Sequence, residues 1–309
     1  PGYDCLVMED VDEYLRILRQ RNHSNSWING PLDEVLITLG AVSKDSTGLH
    51  PTRAGLLMFG KVSCIIREFP DYRLDYREKL GDERWSYRLN SDDIGMNLNV
   101  YTFLRETRER LSMKIGSSFK LDGMIRDDDS DTLSAVREGL MNAIVHADYQ
   151  GIGGVTVDYD GRVIRISNPG GLRIPLEKAI NEHISDPRNK VLMRMCLSIG
   201  LVEEMGSGIS EMFKAKGRGH ILNLTIEETS DPLRVNTCIT LPVRGVRPNS
   251  NASAVINYVM ANPHATMSEI SSSLNIPSRT LTRTVSDLID AGVLVRSGSY
   301  KYTTWAVIG

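Results

Sequence analysis

Cysteine is scarce in this 309-residue sequence. Cys5, Cys64, Cys196 and Cys238 lie far apart, with no CxxC pair and no histidine at metal-ligand spacing beside them. That scatter leaves no zinc site, and four free thiols in a reduced, cytoplasmic setting are the simple expectation. No apolar run reaches the roughly 18 residues that a membrane-spanning helix needs, and the start shows no signal-peptide pattern. A GxxxxGK(S/T) phosphate loop is also missing, which removes motor helicases, since these cradle their phosphates in one. There is no internal repeat and no low-complexity tract. Excess charge is lacking as well: the net charge is -3 and the pI near 6.1. Nothing global therefore favours nucleic acid or membrane, although a local basic face is compatible with that balance.

What is present is ordinary globular composition, long enough for two or three domains with sizeable cores. The chain opens PGYDC, without methionine, and enters a helical pattern almost at once, so it is expected to belong to a longer protein. Helices are predicted over EDVDEYLRILRQR, over GPLDEVLITLGAVS with Pro31 in its first turn, and over HPTRAGLLMFG closed by Gly60. DYRLDYRE and RWSYRLN alternate as strands, and MNLNVYTFLRETRERLSMKI is a long amphipathic helix. The acidic run RDDDSD, residues 126 to 131, reads as a solvated loop. Further on, GVTVDYD and RVIRISNPGG form a hairpin about Asp160-Gly161. Three helices follow, then the strands LNLTIEE and VNTCITLPV. RGVRPNSNAS, residues 244 to 253, lacks periodicity and reads as a linker.

One stretch carries the chemistry: REGLMNAIVHADYQ, residues 137 to 150. Helical residues advance by about 100° each, so Val136, Leu140, Ala143 and Ile144 share one apolar stripe. Glu138, Asn142 and His146 fall together on the opposite side. Two unlike faces on one helix require core on one side and something polar on the other, either water or a ligand. Two glycine motifs follow, SNPGGL at 167 to 172 and GSGI at 206 to 209. Glycines allow close backbone approach, and amides at a helix start attract phosphate. A helix with a carboxylate-and-amide ridge, followed by two glycine loops, outlines a nucleotide pocket.

In that order the sequence resembles the GHKL ATPases, the family of gyrase, chaperone, histidine-kinase and mismatch-repair ATPases. It is most similar to a bacterial branch of transcriptional regulators often labelled RecG-like. The matching positions are Arg137-Glu138-Gly139-Leu140, Asn142-Ala143, His146-Ala147-Asp148-Tyr149, Asn168-Pro169-Gly170-Gly171-Leu172, Arg188-Asn189, and Gly206-Ser207-Gly208-Ile209 with Met212. PTRAGLLMFGK, residues 51 to 61, also looks like this branch, so the likeness spans roughly residues 30 to 243. The resemblance implies ATP and Mg²⁺ as cofactors. Asn142 would be the metal ligand, and Glu138 would stand where hydrolytic members keep the base that activates water. Asn168, Gly170 and Gly171 would border the adenine, and Gly206 and Gly208 the phosphates. Residues 172 to 205 would form a lid, with Arg188 and Lys190 either contacting phosphate or lying on a solvated face. Two positions depart from the pattern. Asn168 stands where an aspartate usually meets the adenine amino group, and Ala147 replaces an arginine. His146 and Asp148 are expected to cap the helix end rather than act in catalysis.

The last sixty residues are a separate module. Helices carrying Val255, Ile256 and Val259, then MSEISSSLN, then SRTLTRTVSDLIDAG, precede a hairpin turning at Ser297-Gly298-Ser299. Three helices and a hairpin resemble the winged helix-turn-helix. In that fold the third helix enters the major groove. Ser278, Arg279, Thr280, Thr282 and Arg283 would reach the base edges, with Tyr300 and Lys301 on the wing. Leu281, Val285, Leu288 and Ile289 take the buried positions. From residue 244 onward six basic residues stand against three acidic ones, in a chain that is net acidic. DNA or a protein partner would suit this face.

The expectation is therefore an α+β protein. Residues 1-125 form an N-terminal α/β extension and 126-243 a GHKL (Bergerat-type) α/β sandwich. Residues 244-253 are the linker and 254-309 the winged helix. Its expected function is DNA-binding transcriptional regulation with ATP sensing, as a homodimer on double-stranded DNA. A Schlafen/AlbA-type domain commonly precedes this region in the branch. The alternatives are a true ATPase acting through Glu138 and a degenerate scaffold that binds no nucleotide. A histidine kinase is not expected, because His146 lies inside the ridge helix.

Overall fold

In the computed structural model, the described residues are 2–22, 25–81, 84–119, 128–182, 184–201, 208–242, 250–290, 293–298 and 304–307. The chain is α+β, with helices and strands in the order α1 (Met8–Arg21), α2 (Leu32–Leu39), β1 (Val42–Asp45), β2 (Gly48–Pro51), α3 (Arg53–Phe59), α4 (Val62–Glu68), β3 (Leu74–Glu78), β4 (Tyr87–Asn90) and α5 (Val100–Phe119). The central part adds α6 (Asp128–His146), β5 (Val155–Tyr159), β6 (Val163–Pro169), α7 (Leu176–Asn181), α8 (Lys190–Ser198), α9 (Gly208–Arg218), β7 (Asn223–Ser230) and β8 (Leu233–Thr240). The last module comprises α10 (Asn251–Ala261), α11 (Met267–Leu274), α12 (Ser278–Asp290), β9 (Leu294–Ser297) and β10 (Thr304–Val307).

Six strands form one sheet in the order β4-β3-β5-β6-β8-β7. Only β3 and β5 run parallel, and α5 and α6 lie between them in sequence. A parallel pair needs such a crossover, and the pairing joins the N-terminal region to the central one in a single sheet. Strand alternation decides the faces. Val155, Val157, Ile164, Ile166 and Ile239 turn inward beneath α6, while Asp158, Arg165 and Cys238 point the other way. On that outer face Arg77 donates to Asp158 at 2.7 Å, and Arg88 holds the buried Asp75 with two hydrogen bonds. Behind α6, α3 packs against α5 and α8, and α1 buries Val11, Tyr14, Leu15 and Leu18 as its spacing predicts.

Several expectations change. The acidic run is not a loop from residue 128 onward, where α6 begins; residues 126 and 127 lie outside the described residues. Asp131 is spent on His220 and Arg218, at 3.2 and 3.5 Å. Pro31 sits at the N-cap of α2 rather than within its first turn. Two of the four cysteines are not free thiols, since Cys5 and Cys64 form a disulfide that ties the N-terminus to α4; Cys196 and Cys238 remain free. In the last module Leu281, Val285 and Leu288 are buried, but Ile289 is 39% exposed. Eight residues past Leu281, the helix has turned about 80° away from the buried stripe. No helix among the described residues is long and apolar enough to cross a membrane.

Candidate functional site

The polar ridge of α6 does not face bulk water. Glu138, Asn142 and His146 are each half-buried and line one wall of a cleft whose free space, counted out to the solvent at its mouth, is about 890 Å³. The sheet is its floor. Register places Asn168 beside Val235 and Ile166 beside Thr237, so Asn168, Val235 and Thr237 look up at the same helix. The opening turn of α9 makes the far wall with Gly208, Ile209 and Met212, and the segment from Gly171 through α7 forms the cover.

Two glycines shape the cleft and its surroundings. A β-carbon on Gly208 would meet the Glu138 carboxylate, which would have to swing aside, so glycine lets α9 start against that acid in its present position. Gly170 has φ +90°, a left-handed conformation that side chains resist, and its amide donates to the Leu233 carbonyl at 3.0 Å. The resulting turn is braced by Arg188, whose Nη2 donates to the Gly171 carbonyl at 2.9 Å.

Apart from the α12 residues, the sequence-predicted residues divide into three groups. Glu138, Asn142, Asn168, Gly171 and Gly208 border the cleft together. Gly170, Arg188 and Lys190 stand outside its lining: Arg188 is committed to the glycine turn, and Lys190 reaches Asp186 at 3.2 Å instead of the interior. Gly206, Tyr300 and Lys301 lie outside the described residues. Asn189, read only as half of a motif, staples the cover to the end of α6 by donating to the carbonyls of Ala147 and Val145 at 2.8 and 3.2 Å. Asp148 shapes the same corner: its amide donates to the Pro169 carbonyl at 2.9 Å, and its carboxylate accepts from Gln150 N.

Sequence reasoning missed Thr237, Arg173 and Asp186, all of which line the cleft. Arg173 and Asp186 pair at 2.7 Å. The hydrogen bond from Lys190 holds the Asp186 carboxyl below the usual range, with Arg173 adding to the effect. Asn168 is 4% exposed and its amide donates to the Pro169 carbonyl at 3.2 Å, which turns its oxygen away from that bond.

Burial keeps the His146 imidazole below its ordinary value, and the nearby Arg188 charge pushes the same way; Asp186 opposes them. The unfolded chain consequently takes up a proton at higher pH than the folded one, so stability falls as pH drops below about 6.5. Urea midpoints at pH 7 and pH 5.5 should fall further apart in the native chain than in His146→Gln. Equal gaps in the two proteins would remove this assignment.

Family models match three parts of the chain. Residues 155–236 match the family described as "Putative ATP-dependent DNA helicase recG C-terminal", and residues 249–295 match "Winged helix-turn-helix DNA-binding". The chain carries a RecG-like C-terminal ATPase-type domain followed by a winged helix-turn-helix. Residues 2–75 match a domain of unknown function, DUF8451. No curated protein matches the chain. Among solved structures it is similar to the DIP2311 protein from Corynebacterium diphtheriae, with TM-score 0.56 and 14% identity, covering 100% of this chain and 69% of that one. At that identity the likeness is one of fold. The winged helix is of DNA-binding type, and its third helix presents Ser278, Arg279, Thr280, Thr282 and Arg283 to solvent.

Proposed function

We propose that this protein is a DNA-binding transcriptional regulator, acting as a homodimer, whose ATPase-type domain senses ATP with Mg²⁺ in the α6 cleft. The observation that carries this reading is the convergence of Glu138, Asn142, Asn168, Gly171 and Gly208 on one cleft, in a domain joined to a winged helix.

The residues present fit such a ligand. A buried amide and the nearby Thr237, set among aliphatic side chains, suit the edge and faces of a purine. Asn142 and Glu138, one helical turn apart, offer the oxygen atoms that magnesium prefers. Among the described residues no three His, Cys, Asp or Glu groups are placed to hold a metal ion. Asn142 would therefore be the residue that holds magnesium, which would supply positive charge beside the phosphates. Among the described lining residues the arginine, Arg173, is already paired with Asp186, so a bound magnesium would be needed to offset phosphate charge. Asn168 would accept from a purine amino group, and Gly208 leaves the α9 start open to close approach.

A second reading, ATP turnover, is favoured by the position of Glu138. That carboxylate borders both the cleft and an adjoining polar bay lined by Ser134, Arg137 and Arg218, so water has a route to it. As a base, Glu138 would take a proton from that water. Phosphate release by the native chain should then exceed release by Glu138→Ala by roughly 100-fold, the usual scale for a general base. Equal, near-background rates would sink turnover and leave sensing in place.

A further inference from the structure

The boundary between the two hydrophobic cores falls between adjacent residues. Ile221 packs in the core of the sheet and its helices, whereas Leu222 belongs to the core of the winged helix, with Val255, Ile256 and Trp305. Leu222 is 4% exposed, and its amide donates to the Thr240 carbonyl at 2.7 Å, fixing it to the end of the sheet. The ATPase-type domain thus supplies one wall residue of the DNA-binding domain.

Arg162, in the β5–β6 turn, makes a second contact. Its carbonyl accepts from Leu241 N at 2.9 Å, and its Nη2 donates to Met260 Sδ of α10 at 3.3 Å. A thioether is a weak acceptor. The Arg162 Nε is buried with no hydrogen-bond partner, and the one carboxylate that acts on this guanidinium is Asp160. A cation held so poorly favours water over the docked position.

We propose that the winged helix docks reversibly on the end of the sheet, with Leu222 as the pin that holds it and Arg162 as the charge that works against it. Release would hydrate Arg162 and expose Leu222, so the two residues oppose each other across one small contact. Small contacts between domains of this kind permit relative motion by default. Strand β6 begins beside this contact and ends at Asn168 and the glycine turn, so the docking point and the cleft share one strand. The role of the switch rests on the sensing reading above; its existence does not.

The test uses the full chain without nucleotide or DNA. Limited tryptic digestion that separates the two modules reports the undocked population, provided that opening is fast relative to cutting. Leu222→Ala is expected to speed that cleavage about tenfold or more, because truncating a buried leucine is costly, and to split the calorimetric melt into two transitions. Arg162→Met is expected to slow the cleavage. If both variants melt and cleave like the native chain, the docking idea is overturned. If Arg162→Met cleaves faster, the guanidinium is a tether and the opposition is wrong. Adding ATP and Mg²⁺ then separates the two claims. An unchanged cleavage rate with ligand, alongside the expected variant effects, would count against sensing and leave docking intact.

Discussion

Alanine at position 142 should erase the response to ATP and magnesium. A ligand that binds only the folded state at a hundred times its Kd stabilises by about 2.7 kcal/mol. For a chain of this size that corresponds to roughly 5–10 °C in melting temperature, at about 2–4 °C per kcal/mol. Asn142 lies on the cleft side of α6, and alanine is the better helix former. The variant should therefore fold as well as the native chain, so loss of the shift can be assigned to the missing oxygen. Melting curves with ATP and Mg²⁺, and with adenosine alone as control, make the comparison. An unchanged shift in Asn142→Ala would remove the amide as metal ligand. No shift in the native chain would remove nucleotide sensing altogether, leaving the scaffold reading.

What made that residue legible was local periodicity. Glu138, Asn142 and His146 are spaced to share a helix face, and one wall of the cleft could be drawn from fourteen consecutive residues. The floor could not. Thr237 reaches the cleft because β8 lies antiparallel to β6 with Thr237 opposite Ile166, and a register shifted by one would have turned it to the outer face. The Arg173–Asp186 pair and the closeness of Gly208 to Glu138 likewise depend on how distant segments fold together. Lys190 and Arg188 looked like free lid cations because sequence shows charge but not partners. The Cys5–Cys64 bond, which spans 59 residues, was invisible for the same reason. So was the parallel pairing of β3 with β5 across two intervening helices. The β1–β2 hairpin and α4 were not foreseen; β1 lies in a stretch read as the end of the α2 helix, and β2 in one read as the start of α3.

The second large effect concerns DNA. Thr266 caps α11 in a reciprocal capping box with Glu269, and α12 follows Asn275 in a left-handed turn, so the helix-turn-helix geometry is built by local chemistry. On α12, Arg279 and Arg283 project from the face opposite Leu281, Val285 and Leu288. The contact of Arg283 with Asp287, at 4.0 Å between exposed side chains, is too weak to compete with a base or phosphate. Each arginine that reads a base edge contributes about 1–3 kcal/mol of discrimination. Joint replacement, Arg279→Ala with Arg283→Ala, should therefore weaken binding by roughly 30- to 20,000-fold, at about 1.4 kcal/mol per tenfold. If one of the two touches phosphate instead, the salt slope should also drop by about 1. Anisotropy titrations of duplexes selected on the native chain, repeated at several salt concentrations, would measure both quantities, and their stoichiometry would report the dimer. One chain per duplex would remove the paired half-site arrangement. Undiminished binding by the double variant would reassign the exposed face of α12 to a protein partner, because no other α12 residue in its first two turns carries a charge that could replace theirs.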